Sequence, residues 1–313
     1  MRIGFLLYPT ASVKVDEDSS FWIMHELCLR GHKVFHFESK DLFSEHGKTK
    51  AYLYSSVLDP RRGFTSTKRL SEPAAMDTLD VIFIRKEPPF DNEYLYALQL
   101  LSLSSKGAFL LNDQEGIASC NEKLFILKFP QWIPDSFVSS RPNEIKKFIY
   151  ALKTKAVLKP LNNKGGAGIV QTHAQDRNLP SLLDQATQNG YSKIMVQRYI
   201  PHDKAGDKRI LLLNGDFLGC FIRRPSKHDF RANLSVGGKM SRAILSAKDR
   251  KMIETLKPEL IRHGLYFVGI DVISGYLSEI NVTSPSGIPE IRQLTGQKLE
   301  KKVADFIEKL GHR

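Results

Sequence analysis

The chain has 313 residues, with 46 Lys and Arg against 34 Asp and Glu, giving a formal net charge of +12. Apolar residues at 42% and charged residues at 26% are the profile of an ordinary soluble globular chain. A chain this long buries a core without disulfide or metal staples, which excludes disordered, collagen-like and disulfide-scaffold classes, and ~150 residues per domain predicts about two domains. The basic excess fits a solvated surface as well as nucleic acid, an acidic membrane or small anions in clefts. The charges are spread along the chain, and no helix-turn-helix, zinc-finger or RNA-recognition pattern accompanies them. The three cysteines, Cys28, Cys120 and Cys220, form no CxxC pair, and each is expected to be a buried thiol in a reducing compartment. No apolar run approaches the ~18–20 residues of a membrane span, and the N-terminal stretch lacks signal-peptide features. A cytoplasmic protein is expected.

Residues 2–8 read as a buried strand. Asp18, Ser19 and Ser20 then cap a helix whose apolar positions Phe21, Met24, Leu27 and Cys28 recur at helical spacing, and Gly31 stops it. A second strand at 33–38 completes a β-α-β opening, which implies a parallel sheet. Residues 40–78 are polar and poorly patterned, and Pro60, Arg61, Arg62 and Gly63 mark an exposed loop. The strand at 79–84 runs into Arg85-Lys86-Glu87-Pro88-Pro89-Phe90-Asp91, at the carboxyl end where open α/β sheets bind ligands. A helix at 92–104 and a strand at 108–112 follow. Beyond 121 the pattern predicts helices at 143–152 and 180–189. Strands are expected at 156–159, 169–172, 194–199 and 209–213, and Asn214-Gly215-Asp216 turns into another at 217–223. This half reads as α+β and largely antiparallel.

Three constellations carry chemistry. The first is Pro160-Leu161-Asn162-Asn163-Lys164-Gly165-Gly166-Ala167-Gly168, which lies between two strands and so is neither a P-loop nor a dinucleotide fingerprint. It is a mobile hairpin tip or a backbone cradle for phosphates, with Lys159 in reach. The second lies in residues 269–281. Glu279 and Asn281 share one strand face, and a three-residue loop of Ser274, Gly275 and Tyr276 sets Asp271 opposite Glu279. Three oxygen donors then converge on a hard cation, most naturally Mg²⁺. The third is a set of cations: Arg85, Lys123, Lys159, Lys208, Arg209, Arg223 and Arg231. A hairpin brings Asp207–Arg209 next to Arg223, and the segment 223–239 is a lid or merely an exposed insertion. The nine histidines show no metal-ligand spacing, and no GxSxG elbow occurs.

In chain order, RKEPPFD at 85–91, NEKLF at 121–125, LKPLNNKGGAG at 158–168, GDKRIL at 206–211, VGIDVI at 268–273 and EINVTSPSGI at 279–288 resemble the prokaryotic glutathione synthetases of the ATP-grasp superfamily. The resemblance runs in register over nearly the whole chain. It implies an N-terminal three-layer α/β (pre-ATP-grasp) domain at 1–120 and an ATP-grasp domain at 121–313. The latter divides into a central lid-type subdomain at 121–200 and a C-terminal catalytic subdomain at 201–313. It implies a ligase that joins γ-glutamylcysteine to glycine through an acyl phosphate, using ATP and Mg²⁺, with Mn²⁺ as an alternative. Its other implications are a homo-oligomer, with neither nucleic acid nor membrane as partner. Carried over, Asp271, Glu279 and Asn281 are the metal ligands. Lys123, Lys159, Gly165, Gly166 and Gly168 are phosphate contacts, and Gln197, Tyr199, Ile200 and Asp207 lie on the adenosine side. Arg209, Arg223 and Asn233 surround the reacting carboxylate, and Arg85, Ser284, Pro285 and Ser286 form the dipeptide site. Ser286 stands where the family usually has Thr, and Pro289 where it has a polar or basic residue. Another ligase acceptor, or an ATP-binding protein without turnover, are the alternatives.

Overall fold

The computed structural model describes residues 1–103, 107–201, 206–226 and 229–311. The chain opens β1 (Arg2–Leu6), α1 (Ser19–Leu29), β2 (Lys33–Phe37), the expected β-α-β. Asp18 caps α1 by accepting from the Phe21 N–H at 2.6 Å. Cys28 corrects an expectation: it lies on the solvent side of α1, and only Cys120 and Cys220 are buried. The segment 40–78 is a second correction. It is built of β3 (Leu42–Glu45), β4 (Lys48–Ala51), β5 (Tyr54–Asp59), β6 (Gly63–Arg69) and β7 (Ala74–Ala75). Residues 60–62 are merely the tip of the β5–β6 hairpin. β5 and β6 are largely half-exposed, so their sequences carry no clean apolar alternation.

β8 (Val81–Ile84), α2 (Asn92–Ser102), β9 (Phe109–Leu111) and α3 (Gln114–Ser119) complete this half. The main sheet runs β6-β5-β2-β1-β8-β9, with β2, β1, β8 and β9 parallel and β5 and β6 antiparallel. Its central strands are apolar on both faces. Ile3 and Phe5 with Val81 and Phe83 pack toward Ile23 and Leu27 of α1, while Leu6, Ile82 and Ile84 pack toward Tyr94 and Leu98 of α2.

β10 (Ser136–Ser139), α4 (Pro142–Leu152), β11 (Ala156–Pro160), β12 (Val170–Thr172), α5 (Leu179–Thr187) and β13 (Ile194–Arg198) make an antiparallel sheet in the order β10-β13-β11-β12. It has its own small core, with Ile145, Ile149, Leu158, Leu183 and Val196 at its centre. The last sheet contains β14 (Asp207–Leu213), β15 (Asp216–Arg224) and β16 (Lys239–Arg242), then α6 (Ala247–Arg262) and the hairpin β17 (Phe267–Ile273)–β18 (Tyr276–Asn281). Its order is β16-β15-β14-β17-β18, antiparallel throughout.

Two C-terminal helices, α7 (Ile288–Thr295) and α8 (Leu299–Leu310), close the chain. The apolar face of α8 packs back onto the first sheet: Val303, Ala304 and Ile307 share a core with Ile3, Phe5 and Ile23. Asn112, at the end of β9, ties the first sheet to the last. Its amide donates to the Phe267 and Val282 carbonyls at 2.8 and 2.9 Å and accepts from the Phe267 N–H at 2.7 Å. The carboxyl end of the parallel sheet is thereby set against the β17–β18 hairpin. Among the described residues, no helix is long and apolar enough to cross a membrane.

Candidate active site

The site is built around the β17–β18 hairpin. Ser274 and Gly275 both have positive φ, 49° and 78°, so they form a two-residue turn with Ile273 opposite Tyr276. The loop is therefore one residue shorter than expected. A bulge at Ser278 restores the missing residue, and Asp271 does stand opposite Glu279. The bulge also turns Ser278 toward Lys159, whose Nζ donates to Ser278 Oγ at 3.0 Å.

Two carboxylates on facing strands need compensating charge, and each has its own. Arg209 grips Asp271 with both arms, Nε to Oδ1 at 2.6 Å and Nη2 to Oδ2 at 3.1 Å. Arg223 Nη2 lies 2.6 Å from Asp207 Oδ2 and 3.0 Å from Asp271 Oδ1. The register places Arg223 opposite Asp207 and Arg209 opposite Asp271, so three antiparallel strands assemble this cluster. Burial pushes the Asp271 carboxyl up, but the two guanidiniums outweigh it and hold the group well below the usual carboxylate range. Arg223 is pushed up: burial opposes its charge, and Asp207 and Asp271 overcome that opposition.

Glu279 is met by Lys123, whose Nζ lies 2.9 Å from Glu279 Oε1 and donates to the Asn163 carbonyl at 2.8 Å. That lysine ties the hairpin to the start of the glycine-rich loop. Its neighbour Glu122, which sequence reasoning passed over, accepts at Oε1 from the N–H of Val282 and Thr283 and from the Thr283 hydroxyl. Burial, and then the nearby Glu279 charge, push the Glu122 carboxyl up. Lys159 is pushed down to about 8, first by burial and further by Lys123, with Glu279 opposing.

Two clefts meet here. The first, about 870 Å³, is lined by Lys123, Lys159, Gly165, Gly166, Gln197, Tyr199, Ile200, Asp207, Asp271 and Glu279. Val157, Ile169, Phe230 and Leu277 supply apolar walls that sequence reasoning did not single out. Arg231 Nη1 donates to the Gly166 carbonyl at 2.9 Å, so the segment 229–233 rests on the glycine-rich loop. Gly168 lies apart. It faces a separate hollow with Pro160 and Asn163.

The second cleft is more open, about 2230 Å³, and holds Arg85, Arg209, Arg223, Asn233, Asn281, Ser284, Pro285 and Ser286. Gly165, Ala167, Asn233, Asp271 and Glu279 line both clefts. Arg85 is fully buried. Its Nε donates to Ser20 Oγ at 2.9 Å and its Nη2 to the Pro285 carbonyl at 2.8 Å, while Nη1 has no partner. Lys164, in the glycine-rich loop, pairs with Glu87 across this cleft. Ser20, Asn163, Glu122 and Glu290 complete the surroundings. Of these, Glu122 and Ser20 stand beside residues already singled out, whereas nothing in the sequence marks Glu290.

The oxygens of Asp271, Glu279 and Asn281 suit a hard divalent cation better than a soft one. Asn281 turns its amide nitrogen to the Gly269 carbonyl at 3.3 Å and to Asp271 at 3.4 Å, leaving the carbonyl oxygen as the group it offers. A cation here shares Asp271 with Arg209, which the lone pairs of a carboxylate permit.

Family models for the prokaryotic glutathione synthetase N-terminal domain and ATP-grasp domain match residues 1–118 and 122–296. Glutathione synthetase from Gloeobacter violaceus is 38% identical over 313 residues, covering 98% of this chain and 96% of its own. That from Pseudomonas syringae pv. tomato is also 38% identical, covering 99% and 97%. Among solved structures, a D-cycloserine synthetase superposes with a TM-score of 0.67 at 12% identity, covering 97% of this chain and 99% of its own. A macrocyclase from Microcystis aeruginosa bound with its precursor peptide gives 0.63 at 14%, covering 99% and 100%. The structures speak for the fold alone, whereas the sequence matches reach the family: the chain belongs to the prokaryotic glutathione synthetases, ligases with an ATP-grasp domain.

Proposed function

We propose that the chain makes glutathione, joining the C-terminal carboxylate of γ-glutamylcysteine to the amine of glycine with ATP consumed. The observation that carries this reading is the meeting of the two clefts at Asp271, Glu279, Asn233 and Gly165. One cleft, with cations and glycine backbone at one end and apolar walls at the other, suits a nucleotide. The other is larger and lined by arginines, and suits a peptide acid. Their shared wall is where a γ-phosphoryl group and an acceptor carboxylate can touch.

In the first step a carboxylate oxygen attacks the γ-phosphorus and ADP leaves. In the second the amine substrate, its ammonium proton lost to solvent, attacks the acyl carbon through nitrogen, the bond to the phosphate oxygen breaks, phosphate departs and the nitrogen loses its second proton. No side chain acts as nucleophile. Lys123, Lys159 and the N–H groups of Gly165 and Gly166 hold phosphates, while Arg209 and Arg223 neutralise charge on the carboxylate and its phosphate ester. Arg85, Ser284, Pro285 and Ser286 hold the dipeptide, and Gln197, Tyr199, Ile200 and Asp207 the adenosine. Asp271, Glu279 and Asn281 would hold Mg²⁺, which when bound would supply neutralisation of phosphate charge. The segment 229–238, resting on the glycine-rich loop, excludes water that would hydrolyse the acyl phosphate. On this reading residues 1–120 are the acceptor side, 121–200 the lid-type part and 201–313 the part that holds the reacting groups.

Phosphate release measured with ATP, Mg²⁺, γ-glutamylcysteine and glycine, each withheld in turn, tests the proposal. Turnover is expected only with all four present. Turnover with another acceptor but not this dipeptide redirects the substrate assignment.

A further inference from the structure

Glu290 is an acidic side chain of the acceptor cleft to which the chemistry above gives no task. It stands in the first turn of α7 and is 6% exposed, yet it lines the cleft. Its Oε2 is buried with no hydrogen-bond partner. Its Oε1 has a 3.5 Å contact from Ser286 Oγ, a hydroxyl whose nearer acceptor is the Glu17 carbonyl at 3.1 Å. Among the described residues no cation forms an ion pair with it. Arg209 and Arg223 lie close enough to be felt electrostatically, but no hydrogen bond or ion pair joins either to it: Arg209 holds Asp271 and the Ser286 carbonyl, Arg223 Nη2 holds Asp207 and Asp271, and Arg223 Nε is itself without a hydrogen-bond partner. Burial accordingly pushes the Glu290 carboxyl up. The backbone around it is fixed: Ser19 Oγ accepts from the Gly287 and Ile288 N–H groups, pinning the start of α7 to the start of α1.

A buried carboxyl with an unfilled acceptor, opening on a substrate cleft, lacks a cationic donor. Anionic substrate groups are served by arginines and lysines here and are repelled by Glu290. The cationic groups that enter are ammonium groups, and the reaction brings two: that of the amine substrate and that of the γ-glutamyl end of the dipeptide. We propose that Glu290 docks a substrate ammonium group, that of the amine substrate, which gives up one proton to solvent before its nitrogen attacks. Its place beside Arg209 and Arg223, the groups at the reacting carboxylate, favours the amine over the remote γ-glutamyl end. This inference rests on the ligase reading of the site.

The test uses the full chain and Glu290→Gln, an isosteric change that keeps the hydrogen-bonding shape and removes the charge. Losing a hydrogen bond to a charged group corresponds to about 10- to 100-fold in binding. The KM for glycine is expected to rise by that factor, with the KM for ATP and γ-glutamylcysteine within about twofold of wild type. Hydroxylamine, a small nucleophile uncharged at neutral pH, intercepts the acyl phosphate without an ammonium dock. Hydroxamate formation by Glu290→Gln should therefore match wild type, which also reports an intact fold. Glu290→Asp should recover part of the glycine affinity. An unchanged glycine KM overturns the proposal, as does loss of hydroxamate formation in the variant alone. A rise confined to the dipeptide KM assigns the dock to the γ-glutamyl ammonium and overturns its assignment to the amine. If the wild-type protein yields neither phosphate nor hydroxamate, the ligase reading itself has failed.

Discussion

Arg223 offers the sharpest test of how the reacting cluster is held. It is 5% exposed and bridges two carboxylates, Asp207 at 2.6 Å and Asp271 at 3.0 Å. Arg223→Met keeps much of the side-chain volume and removes the charge. Breaking a buried ion pair from one side destabilises by about 3–5 kcal/mol, because the remaining carboxylate is stranded. Asp271 keeps both contacts to Arg209, so the loss falls mainly on Asp207 and the lower end, about 3 kcal/mol, is expected. With an m-value of about 3 kcal/mol per molar for a chain of this size, the urea midpoint drops by about 1 M. The pH dependence carries the sign. Asp271 has a depressed carboxyl in the folded protein, so its pairing stabilises above the unfolded carboxyl pKa of about 3.9 and fades as pH falls further. The gap between wild type and variant should thus narrow below about pH 4. A midpoint shift under about 0.3 M at pH 7, or a gap that widens on acidification, would refute the reasoning.

Other consequences are equally direct. Lys159, pushed down to about 8, carries its charge below that pH and loses it above. ATP affinity should weaken as pH rises through about 8, and Lys159→Arg, whose charge is permanent, should flatten the profile. Folding runs the opposite way: between about 8 and the ordinary lysine value of about 10.4 the unfolded chain binds the extra proton, so stability contributed by this group rises with pH. Gly166→Ala places a Cβ 2.7 Å from Asn233 Oδ1 at a φ of +78°. The loop and the segment resting on it must separate, so the KM for ATP should rise and phosphate release fall, and the left-handed backbone adds a strain of about 1–2 kcal/mol. Gly275→Ala strains a left-handed turn position by about 1–2 kcal/mol and crowds Lys248, and hydrogen exchange should show the β17–β18 hairpin opening more readily.

Much of this architecture could be read from residues alone because the signals were local. Apolar strands at 2–6 and 81–84, capped α1 and the Asn214-Gly215 turn each announce themselves within a few residues. The Asp271–Glu279 pairing was reached by assuming a three-residue loop, whereas the fold uses a shorter turn plus a bulge at Ser278. A bulge leaves no sequence mark, since it trades one ladder bond for a contact made elsewhere, here with Lys159. The strands at 54–69 were missed because half-exposed strands need no apolar alternation, and β3 and β4 are only four residues each. Cys28 has the helical phase of Phe21 and Met24 but stands in the last turn of α1 and is exposed, which spacing alone does not foretell. Glu290 and Asn163 owe their places to long-range packing, α7 against α1 and the glycine-rich loop against Lys123. No local pattern marks Glu290, and the glycine-rich motif marks Asn163 without revealing its contact with Lys123.

The central claim is that one cation-lined wall brings a phosphoryl donor and a carboxylate acceptor together. The most direct measurement is phosphate release from ATP by wild type and by Glu279→Gln, with γ-glutamylcysteine and glycine each supplied or withheld. Wild type should release phosphate and form glutathione only with both substrates present. Glu279→Gln should fold to the same circular-dichroism spectrum and lose release by orders of magnitude. Full turnover in Glu279→Gln, or wild-type release indifferent to the dipeptide, would contradict the account.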